Sequence, residues 1–351
     1  MPGERRNLRS FRTRQEILNV NPNPLRRIAL IMPKDTADVR EYFRQYFTSG
    51  QDYRWGESEF VVNPGSGSFD AVVAVQNILP FSREFRITCP PTRTLLAILE
   101  PPDLCFMPDG FTRQFHGVAC QDSRVQCRRR FLGYAGHQWF VEIPIAEAVA
   151  RPITTKPKLL SAVVSAKKDT VGHRQRFRCM EVLKAHFGDR LDWFGRGVRE
   201  IGARKLDGLA DYRYHLVFEN GTWPHYWTEK LADAFMANCL PIYSGAPNRA
   251  EYFAPGSFVP IAVTDPMTAI ERIEEAIRAD RWTSAQPLLA TARTRLTTEY
   301  HQLATWLRLL GQLPVGRPRE IVLRPHTAFQ FTLGGRLRNR LWRFRHRRAL
   351  A

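Results

Sequence analysis

One stretch constrains this chain more than any other: Tyr212 to Phe253, reading YRYHLVFENGTWPHYWTEKLADAFMANCLPIYSGAPNRAEYF. Tyr212 to Phe218 has the aromatic and β-branched character of a short strand, and a polar loop holding Gly221 and Pro224 interrupts it. Thr228 can then cap a helix whose apolar Leu231, Ala234 and Phe235 fall at spacings of three and four, on one face. The helix stops before Pro241, and Leu240 to Tyr243 reads as the next strand. A strand–loop–helix–strand unit builds a parallel α/β sheet.

Polar residues crowd the mouth of that unit: Glu219 and Asn220 at the strand's end, then Tyr226, Thr228, Glu229 and Lys230 at the helix's start. In open α/β sheets ligands sit beyond the carboxyl ends of the strands, and a helix N-terminus attracts phosphate through its free N–H groups and dipole. A lysine there favours an anionic ligand. The plainer alternative is a solvated turn followed by a first helical turn whose Glu229 and Lys230 face water.

The run FENGTWPHYWTEK (Phe218 to Lys230), preceded by YRYHL and followed by LPIYSGAP, resembles the signature of family 10 glycosyltransferases, the α-1,3/4-fucosyltransferases that use GDP-fucose. The resemblance covers Lys158 to Ile261 well and the N-terminal half weakly. It implies an α/β GT-B fold, two Rossmann-like domains facing a cleft, with donor on the C-terminal one and acceptor largely on the N-terminal one.

At 351 residues the chain exceeds the usual single domain, and 44% hydrophobic with 25% charged residues suits a globular protein with a sizeable core. No apolar run approaches the roughly 18 to 20 residues that span a bilayer, and MPGERRNLRSFRTR lacks the apolar segment of a signal peptide. The expectation is a cytoplasmic chain. Its six cysteines show no CxxC pair and no histidine at zinc spacing, which suits reduced thiols.

The net charge of +18 is concentrated at the ends. Residues 1–14 hold five arginines against one glutamate, and residues 334–351 hold seven arginines and no acid. The body between carries a modest excess and no recognisable nucleic-acid module, so no nucleic-acid partner is expected. In LGGRLRNRLWRFRHRRALA (Leu333 to Ala351), a helix would set Leu337, Leu341 and Phe344 on one face with arginines around the rest. Such a helix would lie on an anionic membrane surface, which the resemblance implies is the inner face of the cytoplasmic membrane. A solvated basic tail is the alternative.

Arg27 to Pro33, Asp70 to Ile78, Thr94 to Leu99 and residues 116–122 read as strands of the N-terminal half, with a helix over Asp35 to Phe47. Pro152 to Pro157 has linker composition. The organisation expected is a basic arm at 1–24, an acceptor-side Rossmann-like domain at 25–151, a GDP-sugar domain at 158–320 and a basic amphipathic tail at 321–351. Lys158 to Ser165 starts the second domain, and a helix with Phe177, Met180, Val182 and Leu183 as apolar candidates follows. Two more helices follow the signature, Met267 to Arg278 and Ala285 to Leu310, one able to cross back onto the first domain.

Glu100 directly follows a buried parallel strand, and Pro101 and Pro102 prevent the strand from continuing. That places a carboxylate at the sheet's carboxyl edge, with Asp103 as the neighbouring candidate. The resemblance implies an acidic general base from this strand end, matched here to Glu100. It also implies an arginine near the start of the helix after Lys158 to Ser165 as a pyrophosphate contact, matched to Arg176 with Arg174 behind it. Asn220, Tyr226, Glu229 and Lys230 are the further GDP-sugar contacts, and Arg199 and Lys205 are weaker nucleotide candidates. Neither a cofactor nor an obligatory metal is implied. The expected reaction moves fucose from GDP-fucose to a hydroxyl of a glycan acceptor with inversion. The alternatives are a GT-B transferase using another GDP-sugar and a non-catalytic protein that binds anionic surfaces or nucleic acid.

Overall fold

The computed structural model describes residues 25–33, 53–76, 81, 83–101, 104–105, 107–150, 155–168, 170–202 and 204–330, with positions 333, 337, 340 and 341 beyond them. The expected arm at 1–24, the expected helix at 35–47, Asp103 and most of the C-terminal tail lie outside the described residues.

The first sheet runs from β1 (Arg27–Ile31), β2 (Arg54–Trp55), β3 (Ser58–Val62) and β4 (Ala71–Gln76) through β6 (Thr94–Ile98), β7 (Gly117–Cys120) and β8 (Arg129–Leu132). Its order is β2-β3-β1-β4-β6-β7-β8, and every pairing is parallel except β2 with β3. All six residues of β4 and all five of β6 are buried, so both faces are covered and an unbroken apolar run is what these strands require. The stretch after residues 116–122 ends in β8, which begins with Arg129 and Arg130.

The second sheet, order β10-β9-β11-β12-β13, is wholly parallel. It comprises β9 (Lys158–Val163), β10 (Leu191–Phe194), β11 (Tyr212–Phe218), β12 (Leu240–Ser244) and β13 (Val259–Pro260). Helix α1 (Val171–Phe187) joins β9 to β10, and α2 (Glu229–Met236) joins β11 to β12. Thr170 and Thr228 cap these helices, each side chain accepting a backbone N–H of the first turn. On α1 the buried side chains are Arg176, Cys179, Met180, Leu183 and Phe187, while Val182 faces outward, correcting its expected place in the apolar stripe. A helix of this length spaces its inward residues by 3.6, which selects Cys179 and Leu183 over Val182.

The chain then returns to the first sheet. Helix α3 (Pro266–Arg278) is followed by α4 (Gln286–Thr297) and α5 (Gln302–Leu310), where a single helix over Ala285 to Leu310 was expected. The break at Thr298 to His301 lets α5 turn onto the N-terminal half, where Trp306 Nε1 donates to the Ala135 carbonyl (2.9 Å) and Gln302 Nε2 to that of Gly136 (3.0 Å). Next, β14 (Arg319–Leu323) pairs antiparallel with β5 (Phe85–Cys89), and α6 (Thr327–Gln330) sets Phe329 against Phe111. Residues 321–323 of the expected amphipathic tail therefore belong to β14.

Two parallel α/β sheets joined in this way are what the GT-B expectation requires. One apolar cluster runs continuously from Leu25 through Tyr214 and Trp227 to Leu313, so both sheets share a core. Of the expected linker at 152–157, the described residues are 155–157. Lys156 is buried, and its ammonium donates to the carbonyls of Leu209, Ala210 and Ala237 (3.3, 2.6 and 2.8 Å).

Candidate active site

The site lies where the carboxyl ends of β6 and β11 meet. Each of those strands ends in a carboxylate, Glu100 after β6 and Glu219 after β11. The phenol of Tyr226 donates to Glu100 Oε2 at 3.4 Å and bridges 126 residues of sequence. Asn220 also hydrogen-bonds the Tyr226 side chain.

Glu219 organises the start of α2. It is completely buried, and its two oxygens accept from the Thr228 backbone N–H (2.8 Å) and hydroxyl (2.7 Å). Lys230 Nζ sits 3.6 Å from Glu219, 2.7 Å from Glu229 Oε1 and 3.1 Å from Thr228 Oγ1. At Gly245 a Cβ would come within 2.5 Å of Glu219 Cγ and 2.3 Å of the Tyr243 hydroxyl, so glycine there lets β12 end against this carboxylate.

Arg176 approaches from α1. It lies in the second turn, is buried, and donates through Nη1 to the Phe218 carbonyl (3.1 Å), while its Nε has no hydrogen-bond partner. Glycine at 172 permits the approach, because a Cβ there would meet the Asn220 carbonyl oxygen at 2.5 Å. Arg174, the alternative, is directed to the Lys168 carbonyl (3.1 Å) on the exposed side.

The electrostatics separate three carboxylates. Burial, with like charge from Glu229 and Glu219, lifts Glu100 from the ordinary 4.5 to about 7 against the pull of Lys230 and Tyr226. Glu229 is held down to about 2: burial pushes it up, but Lys230, Lys205 and His137 together outweigh that. Burial also raises Glu219 despite the nearby ammonium. Lys230 is raised, because Glu229 and Glu219 outweigh the desolvation that would lower it. The result is a fixed cation between two carboxylates and, beside Tyr226, a third carboxylate poised near neutral pH.

All six expected site residues converge here: Glu100, Arg176, Asn220, Tyr226, Glu229 and Lys230. Lys205 does not reach outward, since it forms a 2.5 Å ion pair with the buried Asp233. Asp233 in turn accepts the backbone N–H groups of Phe140 (2.5 Å) and Val141 (2.9 Å) from the N-terminal half. Arg199 pairs with Asp192 at 2.8 Å on an exposed face. One residue was named in the sequence without a role, and one escaped the sequence reading. Glu219 stood in view at the strand's end, yet only its bonds to Thr228 distinguish it from a solvated acid. His137 carried no sequence signal; its imidazole hydrogen-bonds the Leu99 backbone and packs edge-on to Tyr226 (6.1 Å), and burial lowers its pKa to about 4.

Residues 153–275 match the family described as glycosyltransferase family 10 (fucosyltransferase) C-term. The chain is 44% identical over 55 residues to alpha-(1,3)-fucosyltransferase FucT of Helicobacter pylori, covering 16% of this chain and 12% of that protein. It is 37% identical over 120 residues to alpha-(1,3)-fucosyltransferase 4 of Homo sapiens, covering 32% and 21%. The matches thus span about a fifth or less of these two relatives' lengths. A crystal structure of an alpha1,3-fucosyltransferase with GDP aligns with a TM-score of 0.48 at 17% identity, over 81% of this chain and 94% of that one.

Proposed function

We propose that this chain, whose residues 153–275 belong to the C-terminal domain of glycosyltransferase family 10 (fucosyltransferase), transfers fucose from GDP-fucose to a hydroxyl of a glycan acceptor. The observation that supports the proposal is Glu100, lifted to about 7 and bonded by Tyr226 of the cluster that holds Lys230 at the start of α2 and Arg176 in the second turn of α1. Glu100 would take the acceptor proton as the hydroxyl attacks, since a base works best with a pKa near the working pH. Lys230, Arg176 and the capped N-terminus of α2 would stabilise the departing diphosphate. Attack and departure on opposite faces of the sugar give inversion. Glu229, held ionised, would accept hydrogen bonds from sugar hydroxyls, and Asn220 and Tyr226 would line the donor site.

Calorimetric titration with GDP-fucose, GDP-mannose and UDP-galactose tests the donor. GDP-fucose should bind tightest and turn over. No binding of any GDP-sugar sinks the proposal; a preference for GDP-mannose confines it to another member of the GDP-sugar class.

The same reading puts the chain peripherally on the inner face of a cytoplasmic membrane through its basic tail. In support, Leu333, Leu337 and Leu341 are helical at spacings of four and remain 87%, 61% and 48% exposed. No described helix is long and apolar enough to cross a membrane. Equal co-sedimentation of full-length and 1–332 chains with anionic vesicles would remove the tail from that role.

A further inference from the structure

The first sheet has a second end. Thr94 opens β6 and Glu100 follows its last residues, so a five-residue strand, at about 3.3 Å per residue, sets these ends roughly 17 to 20 Å apart. Around Thr94 a cavity of about 350 Å³ opens between the Arg113–His116 turn and β14. Three arginines line it, Arg113, Arg128 and Arg319, against one acid, Glu320. Among the described residues, none of the three guanidinium groups has a hydrogen-bond or ion-pair partner.

The histidine in the wall is also unsatisfied. The His116 backbone N–H is fixed on Thr94 Oγ1 at 2.9 Å, and its ring Nδ1 is buried without a partner. Burial, then the charges of Arg128 and Arg129, lowers its proton affinity. The opposite wall is the half-buried apolar edge of β14 at Ile321 and Val322.

From this geometry we propose that the cavity is a binding site for a phosphate ester, separate from the donor cleft and independent of the function proposed for it. Guanidinium forks match phosphate oxygens in pairs, and unpartnered arginines need no internal bond broken before they engage. The volume lies at the small end of ligand sites, larger than a bare phosphate needs and suited to a glycerol-sized body against Ile321 and Val322. Such a group comes either on a soluble phosphate ester or on a phospholipid headgroup. The chain order β14, α6 and then the exposed Leu333, Leu337 and Leu341 makes the headgroup the source to test beside the soluble ester.

The test uses the full chain and the double variant Arg113→Ala/Arg128→Ala, with GDP binding as the control for folding and the donor cleft. Isothermal titration with sn-glycerol 3-phosphate and co-sedimentation with phosphatidylglycerol vesicles are the two arms. The expected result is unchanged GDP affinity with at least a tenfold loss for glycerol phosphate, and a His116 ring resonance that moves during the titration of the parent chain. Loss of vesicle binding in the same variant assigns the phosphate to a lipid; vesicle binding unchanged beside lost glycerol phosphate assigns it to a soluble ester. Undiminished binding in both arms overturns the site. An equal loss in Arg26→Ala/Arg278→Ala, two exposed arginines outside the cavity, also overturns it, because total charge would then be the cause.

Discussion

Replacing Glu100 with glutamine should make the protein more stable and nearly inactive, and the two effects have one origin. The carboxyl sits at a strand end where burial lifts it from 4.5 to about 7. At about 1.4 kcal/mol per pH unit, keeping it ionised in the folded chain costs about 3 kcal/mol relative to the unfolded chain. The sign is that of an acid with a raised pKa. Below 4.5 both states are protonated and there is no cost; between 4.5 and about 7 the folded state holds a proton the unfolded state has released, so stability falls as pH rises. Glutamine stays neutral and can still accept from Tyr226. Urea unfolding of Glu100→Gln should therefore match the parent at pH 4, gain steadily through that window, and lead by about 2 to 3 kcal/mol at pH 8. Turnover should fall by about two to four powers of ten while GDP-fucose affinity holds. A parent-like stability curve at pH 8 would show that the carboxylate is not desolvated as described. Near-normal turnover would remove Glu100 as the base, and if Asp103→Asn then abolished activity the role would pass to that residue.

Turnover of the parent should rise about tenfold for each pH unit below the Glu100 midpoint and level off above about 7, and an acid limb near 4.5 would exclude this carboxyl. Arg176→Ala should weaken GDP-fucose binding by about one to two powers of ten in calorimetry, the loss of a charge-assisted bond, and wild-type affinity would take it out of the site. Lys230→Ala leaves Glu219 and Glu229 without their cation, so it should cost about 3 to 5 kcal/mol at pH 7 by urea unfolding. That deficit should narrow as the pH falls and the stranded carboxylates take up protons; a deficit independent of pH would refute the ion-pair account. Gly245→Ala drives a methyl into Glu219 Cγ and the Tyr243 hydroxyl, so donor affinity should fall about tenfold or more as Glu219 shifts from Thr228, and unaltered affinity would show that Glu219 does not position this helix.

The sequence by itself determined the local units. Apolar runs such as TLLAIL, the threonine cap at Thr228, and the Thr228–Phe235 face depend on neighbours within one or two turns of chain. The parallel α/β class and the placement of Glu100 and Glu219 at strand ends followed from the same short-range physics, and the signature letters located the rest of the cluster. Other features were not legible. Val182 and Leu183 are alike in type, and Lys205, Lys156 and Lys230 are all lysines in polar-looking sequence; only packing buries Lys156 under three carbonyls and commits Lys205 to Asp233. The short strands β2 and β13 exist only because a neighbouring strand offers its backbone groups. Above all, the character of the site was a tertiary decision. Glu100 reaches about 7 because β6 ends beside residues 119 to 130 positions away, and Glu229 stays near 2 because an ammonium is packed against it. A pKa is set by the solvent excluded and the charges admitted within a few ångströms, and those distances are fixed only when the two sheets close on one another.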